Sequence, residues 1–309
     1  MSNFHGRDFL TLMDFSKEDI LCFLETAAEL KRKRRRREPH DYLRGYSVGM
    51  LFEKKSTRTR VSFQAGMAQL GIQSFYLRPD ELQLGRGEPI SDTARVIDRY
   101  CDALFIRTYG QEIVEEFARW MANPVINALT NLVHPCQGLA DLLTIQEKKN
   151  RLEGLKLAYV GDVYNVAHSL IIAGATFGFD VYVAGPEKYR PAGRVVDCAR
   201  ERAQTTGGRL VLTSDLEEAL DGADVVYANT FHSMGVDDIE QRVREYRDYQ
   251  VNERTLALAK SDAIFMHCLP GYRGEEMTEE VIEGPQSAVW DQAENRMHTE
   301  KAVLVLTLL

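Results

Sequence analysis

The sequence predicts an α/β protein built as two doubly wound parallel-sheet domains. Three observations predict it: short apolar runs of strand length recur along the chain, helical patterns fall between them, and the alternation starts afresh after the polar break Lys148-Lys149-Asn150. Such alternation gives a parallel sheet covered by helices on both faces, with ligands gathering at the carboxyl ends of the strands. At 309 residues the chain is long enough for two ordinary domains, each with its own core, and it carries no internal repeat. The expected division is 1–149 and 150–295, with a C-terminal helix over 296–309.

The elements follow in order. Residues Lys17 to Lys31 put Ile20, Phe23, Leu24, Ala27 and Leu30 on one helical side, with Ser16 as N-cap. The basic run from Lys31 to Arg37 ends that helix and reads as a solvated face, since cations are favourable at a helix C-terminus. Ser47 to Phe52 is a strand leading into Ser56-Thr57-Arg58-Thr59-Arg60, which opens a helix carrying Val61, Phe63, Met67 and Leu70. Ala103 to Arg107 is a strand with Arg107 at its end, and Pro124 to Asn127 another, leading towards His134-Pro135-Cys136-Gln137 and the helix of Leu139, Leu142, Leu143 and Ile145. In the second half Leu155 to Val160 is a buried strand ending in Gly161-Asp162, followed by a helix with Leu170, Ile171, Ala173 and Ala175. Val181 to Ala184, Ala223 to Tyr227 and Ala263 to Met266 are further strands, the last running into His267-Cys268-Leu269-Pro270. From Arg296 to Leu309 the pattern turns helical again.

Composition excludes several classes. Hydrophobic content of 44% and charged content of 27% are those of a globular protein rather than a disordered one. A formal net charge of −8 argues against nucleic acid as a partner while allowing a locally basic anion site. Five widely spaced cysteines without a Cys-x-x-Cys pair argue against a disulfide framework or a zinc site and fit a reducing compartment. The start of the chain has no apolar signal core and no stretch has bilayer-spanning length, so cytoplasm is expected and a membrane is not. Neither a metal nor an organic cofactor is called for.

The chemistry begins at Ser56 to Arg60. A strand that ends in Ser-Thr-Arg-Thr and opens a helix brings hydroxyls, backbone N–H groups, a guanidinium and the positive helix end to one point. That arrangement suits a phosphate, because the Arg fork matches phosphate oxygens bidentately and stays charged. Together with His134-Pro135-Cys136-Gln137 and His267-Cys268-Leu269-Pro270, this run resembles the ornithine branch of the aspartate/ornithine carbamoyltransferase family. The resemblance runs nearly end to end and includes Gln83 to Pro89, Gly161-Asp162, Ser233-Met234-Gly235 and Glu294-Asn295-Arg296.

The resemblance implies a transfer of the carbamoyl group of carbamoyl phosphate to the side-chain amine of ornithine, giving citrulline and phosphate in a cleft between the domains. It puts Ser56, Thr57, Arg58, Thr59 and Arg107 on the phosphate, and His134, Gln137, Cys268, Leu269 and Arg296 around the carbamoyl group. His134 with Arg58 or Arg107 would polarise the carbonyl, and Cys268 would accept the amine's proton. Asn165, Asn229, Ser233 and Met234 match acceptor positions. Gln83 matches a residue lent by a neighbouring subunit, which implies at least a homotrimer.

Two positions depart from the family pattern. Asn229 stands where an Asp that pairs with the cationic end of the substrate is usual, and Val163-Tyr164 replace a common Gly-Asn. These departures keep open a different amine, such as another diamino acid or a modified ornithine, and a catalytically silent binding subunit. A nucleotide-dependent dehydrogenase fails because no Gly-x-Gly-x-x-Gly follows Val160.

Overall fold

The structure, a computed structural model, describes residues 4–54, 56–231, 233 and 238–309. The chain divides into two compact units, 1–140 with 294–309, and 141–293. The sequence places the break at 149/150, after the helix within which the first unit ends.

The first unit opens with α1 (Lys17–Arg36), held at its start by a capping box in which the Ser16 hydroxyl accepts from the Asp19 N–H and the Asp19 carboxylate accepts from the Ser16 N–H. The helix runs past the expected Lys31 because its last turn is basic, and it stops at Arg37 in the left-handed region. There follow β1 (Ser47–Phe52), α2 (Thr57–Leu70), β2 (Gln73–Leu77), α3 (Ile90–Ile97), β3 (Ala103–Arg107), α4 (Gln111–Trp120), β4 (Val125–Leu129) and α5 (Pro135–Lys149). The four strands form one parallel sheet in the order β2-β1-β3-β4. β3 and β4 are buried throughout, as helix-covered parallel strands must be, whereas β2 lies half-exposed at the edge. Chain order reverses between β1 and β3, the switch point at which a crevice opens beyond the strand ends.

The second unit contains β5 (Lys156–Val160), α6 (Asn165–Phe177), β6 (Asp180–Ala184), α7 (Gly193–Thr206), β7 (Arg209–Thr213), α8 (Leu216–Leu220), β8 (Val225–Ala228), α9 (Ile239–Tyr246), α10 (Glu253–Leu256), β9 (Ile264–Met266) and α11 (Glu279–Ile282). Its sheet is parallel in the order β7-β6-β5-β8-β9, so the reversal falls between β5 and β8. Every residue of α6 is buried, which explains its apolar composition. Gly161 follows β5 at φ +140°, and a Cβ there would stand 2.4 Å from the Asn229 carbonyl oxygen; glycine lets the ends of β5 and β8 meet. The chain closes with α12 (Val289–Leu308), which starts before the expected Arg296. Among the described residues no helix is long and apolar enough to cross a membrane.

Candidate active site

In the first unit the switch point gathers the residues expected to hold a phosphate. Ser56 caps α2, its hydroxyl accepting from the Thr59 N–H at 3.2 Å, so the first turn presents Thr57 and Arg58 outward and buries Thr59. Pairing of β1 with β3 sets Phe52 opposite Arg107, and the Glu53 N–H continues the ladder to the Arg107 carbonyl at 2.9 Å. The register of β3 against β4 shifts between Ile106 and Arg107, an irregularity of the kind that re-aims a side chain at a strand end. Arg296 of α12 is buried and donates from Nη2 to the Thr59 hydroxyl at 3.0 Å, with the Glu300 carboxylate at 3.3 Å.

His134 is buried immediately before α5, and its carbonyl accepts from the N–H groups of Gln137 and Gly138, both at 3.1 Å. Burial, then the charges of Arg296 and Arg107, hold its imidazole well below the ordinary histidine pKa. Both guanidiniums therefore act on one neutral ring, and one of them bonds the turn that Ser56 caps. Gln137 is buried in the first turn of α5. Arg58 shares its turn with Thr59 but is exposed. Gln83 is exposed as well, at the start of a 3₁₀ turn, Gln83–Arg86, that follows another over Pro79–Glu81.

Two groups here escaped the sequence reading. Lys54 is buried after β1, donates to the Asn131 side-chain oxygen at 2.5 Å and lies 4.0 Å from the Tyr109 ring centroid; burial, then Arg107, lowers its pKa to about 8. Glu300 is buried beside Arg296, and burial outweighs that cation to raise its pKa to about 7. A lysine two residues before Ser56 was a legible signal, whereas nothing local marks Glu300.

The second unit gathers the residues expected to hold an amine, again at the switch point. Asn165 is the first residue of α6, Asn229 follows β8, and both are buried. Ser233 is buried and its N–H donates to the Asp162 carboxylate at 3.0 Å, while Met234 lies outside the described residues. Cys268 follows β9 half-buried, and its thiol donates to Asn229 Oδ1 at 3.2 Å. Leu269 holds φ +59° before a cis peptide to Pro270, and its N–H donates to His267 Nδ1 at 2.9 Å. Since Nδ1 accepts, His267 carries its proton on Nε2, which faces the Glu276 carboxylate at 3.2 Å.

Tyr159 and Arg242 are polar neighbours that the sequence reading missed. The Tyr159 hydroxyl donates to the Asp162 carbonyl at 2.6 Å and accepts from Asn229 Nδ2 at 3.0 Å. Arg242 pairs with the Asp162 carboxylate and with Asp238, the latter at 2.8 Å. Burial pushes the Asp162 carboxyl up, against the pull of Ser233 and Arg242. Tyr164 occupies the N-cap of α6, its phenol pushed up by burial and then by Asp162. Among the described residues no group of three or more His, Cys, Asp or Glu side chains is placed to hold a metal ion. What the two arrangements offer is a buried cationic anchor with a neutral N–H donor in one unit, and a neutral amide, a thiol and short polar groups in the other.

Comparison with known proteins agrees with these two halves. Residues 7–147 match the family model described as the carbamoyl-P binding domain of aspartate/ornithine carbamoyltransferase, and residues 153–307 match the Asp/Orn binding domain of the same family. The ornithine carbamoyltransferase of Halalkalibacterium halodurans is 53% identical over 306 residues, covering 98% of this chain and 96% of that protein. The anabolic ornithine carbamoyltransferase of Pyrococcus furiosus is 49% identical over 304 residues, covering 98% of this chain and 96% of that protein. The solved structure of ornithine carbamoyltransferase from Pyrococcus furiosus superposes with a TM-score of 0.96 at 48% identity, covering 100% of this chain and 99% of that one. Buried Arg107, His134 and Arg296 in one parallel-sheet unit, a thiol-bearing turn in the other and these matches lead to one conclusion: the chain belongs to the aspartate/ornithine carbamoyltransferase family and is a carbamoyltransferase.

Proposed function

We propose that the protein transfers the carbamoyl group of carbamoyl phosphate to the side-chain amine of ornithine, forming citrulline and phosphate. The observation that carries the proposal is the buried Arg296 bonded to the Thr59 hydroxyl in the capped first turn of α2, with Arg107 buried at the end of β3, opposite Phe52 of β1. Ser56, Thr57, Arg58, Thr59 and Arg107 hold the phosphate of the donor, and Arg296, Gln137 and Leu269 orient its carbamoyl group. The amine nitrogen attacks the carbamoyl carbon, the C–N bond forms, and the tetrahedral intermediate breaks its C–O bond to release phosphate. His134, being neutral, stabilises the developing oxyanion as an N–H donor, helped by the fixed charges of the arginines. Cys268 takes up the proton lost by the amine, and Asn165, Asn229, Ser233 and Met234 hold the amino acid. The donor-binding domain corresponds to 1–149 with 296–309, and the acceptor-binding domain to 150–295.

Assembly as a homotrimer belongs to the same proposal, supported by the exposure of Gln83, which would reach a neighbouring site. Cytoplasmic location is supported by five cysteines none of which is in a disulfide. A second reading, the same donor chemistry on another amine, draws on Asn229 and Tyr164. The test is citrulline formation from carbamoyl phosphate and ornithine by the purified protein, run beside a panel of diamino acids and simple amines. Citrulline at a rate that saturates with ornithine supports the proposal; turnover only with another amine replaces the acceptor, and carbamoyl phosphate binding without turnover of any amine overturns it.

A further inference from the structure

The end of β5 carries a hydroxyl with no role in the reaction above. Tyr159 is fully buried, and its single O–H proton is spent on the Asp162 carbonyl at 2.6 Å. Its oxygen can then only accept, and what it accepts from is Asn229 Nδ2 at 3.0 Å. An amide has one donor end and one acceptor end, so committing Nδ2 to Tyr159 leaves Oδ1 for the other side, where the Cys268 thiol donates to it at 3.2 Å. The carbonyl of Asp162, the phenol, the amide and the thiol form one directed chain, Cys268 to Asn229 to Tyr159 to Asp162.

We infer that Tyr159 is a positioning residue that fixes the orientation of the Asn229 amide and thereby sets how readily Cys268 gives up the thiol proton, which points at Oδ1 at rest and must leave before the sulfur can accept one from the amine. The inference rests on the reading of Cys268 and Asn229 as acceptor-side residues and adds why an amide works at position 229. A carboxylate there accepts at either oxygen and needs no orienting partner, whereas an amide turned the wrong way presents N–H to the sulfur and favours the thiolate. Titratable groups near the thiol include two buried phenols, Tyr159 from β5 and Tyr227 from β8, and burial pushes both far up, so neither charges near neutrality. His267 and Glu276 pair on the segment that carries Cys268. Gly161 and Tyr227 leave the chain little room to shift: Gly161 abuts the Asn229 carbonyl, and the Tyr227 ring stacks on Tyr159 at 5.9 Å.

The test is the pH dependence of iodoacetamide alkylation at Cys268, read by peptide mass spectrometry so that the other four cysteines do not interfere. Tyr159→Phe leaves Nδ2 without its acceptor and releases the amide to turn, so the alkylation midpoint of Cys268 falls by about one pH unit, roughly tenfold faster labelling at neutral pH. In an Asn229→Asp background the same substitution gives no fall, because a carboxylate has no N–H to offer. Equal midpoints for wild type and Tyr159→Phe overturn the inference, and so does an equal fall in both backgrounds, which marks a general loosening. Should Tyr159→Phe fail to fold alone, Asn229→Asp by itself decides: it must raise the midpoint relative to wild type, since Oδ1 already faces the sulfur and a charge is added, and an unchanged midpoint overturns the inference. These readouts need no turnover, so loss of the ornithine activity proposed above and failure of the orienting role are separately visible.

Discussion

Arg296 donates to the hydroxyl of Thr59 at 3.0 Å across 237 positions of sequence, tying the last helix of the chain to the first turn of α2. The bond is made between buried groups, so its guanidinium has exchanged water for protein partners and its geometry is set before any donor arrives.

Thr59→Val keeps the shape of that contact and removes its acceptor. A hydrogen bond to a charged group is worth about 1.5–3 kcal/mol, so the KM for carbamoyl phosphate rises roughly tenfold to a hundredfold. Steady-state kinetics at saturating amine measure it; an unchanged KM would show that Arg296 is positioned without Thr59.

His134 is held neutral by burial and by the Arg296 and Arg107 charges, all of which lower its pKa. The pH profile of kcat therefore shows no limb from this residue between about pH 5.5 and 7.5, where an ordinary histidine titrates. His134→Gln, which retains an N–H donor, keeps more activity than His134→Ala, which loses about 10²–10³ in kcat as a missing oxyanion donor does. Equal losses in both variants would remove the donor role.

Glu300 gives a stability prediction with a definite sign. Its folded-state pKa, about 7, is raised above the ordinary 4.5, so the folded protein holds the proton where the unfolded chain has released it. The stabilisation is complete below about pH 4.5, is lost as pH rises through 7 and changes no further above it, a span of roughly 3 kcal/mol. Asp8, raised to about 6 by burial, contributes with the same sign. Denaturant midpoints of wild type and Glu300→Gln between pH 5 and 8 isolate the Glu300 share: the variant loses less stability over that range, and parallel curves count against the assignment.

Asn229→Asp restores a charge beside the Cys268 thiol. A charged partner for a desolvated ammonium is worth about 1.5–3 kcal/mol, so kcat/KM for ornithine rises more than tenfold if the missing charge limits acceptor binding. Falling or constant kcat/KM shows instead that the site is built around the amide, as the Tyr159 hydrogen bond to Asn229 Nδ2 would favour.

Much of this fold was legible because buried parallel strands read as continuous apolar runs. β1 matches the reading residue for residue, and β3 does too. β2 and β7 did not register: both are edge strands, with sequences Gln-Ser-Phe-Tyr-Leu and Arg-Leu-Val-Leu-Thr only partly buried, and half-exposure weakens the pattern that marks a strand. The capped turn at Ser56 to Arg60 was legible because its parts are neighbours in sequence. Tyr159 was not, since it takes its meaning from Asn229, 70 positions away; Glu300 has its partner Arg296 one helical turn away, and what marks it is burial, which no local pattern shows. Asn229 stood out as a departure, but its directed bond to Tyr159 is a matter of which end of an amide faces which neighbour, and no linear pattern carries that.

The strand order β7-β6-β5-β8-β9 has a bearing on how this protein can change. Asn165, Asn229 and Cys268 follow β5, β8 and β9, and Arg242 lies on α9, whereas none of the described groups proposed for the acceptor side comes from β7 on the far rim. Gly207, at φ +77°, and Gly208, where a Cβ would stand 2.6 Å from the Phe179 carbonyl oxygen, are the constrained points ahead of β7. Away from those two glycines, insertions or drifting side chains along that rim should be tolerated while turnover is preserved, so the margin is where sequence novelty can accumulate at little functional risk.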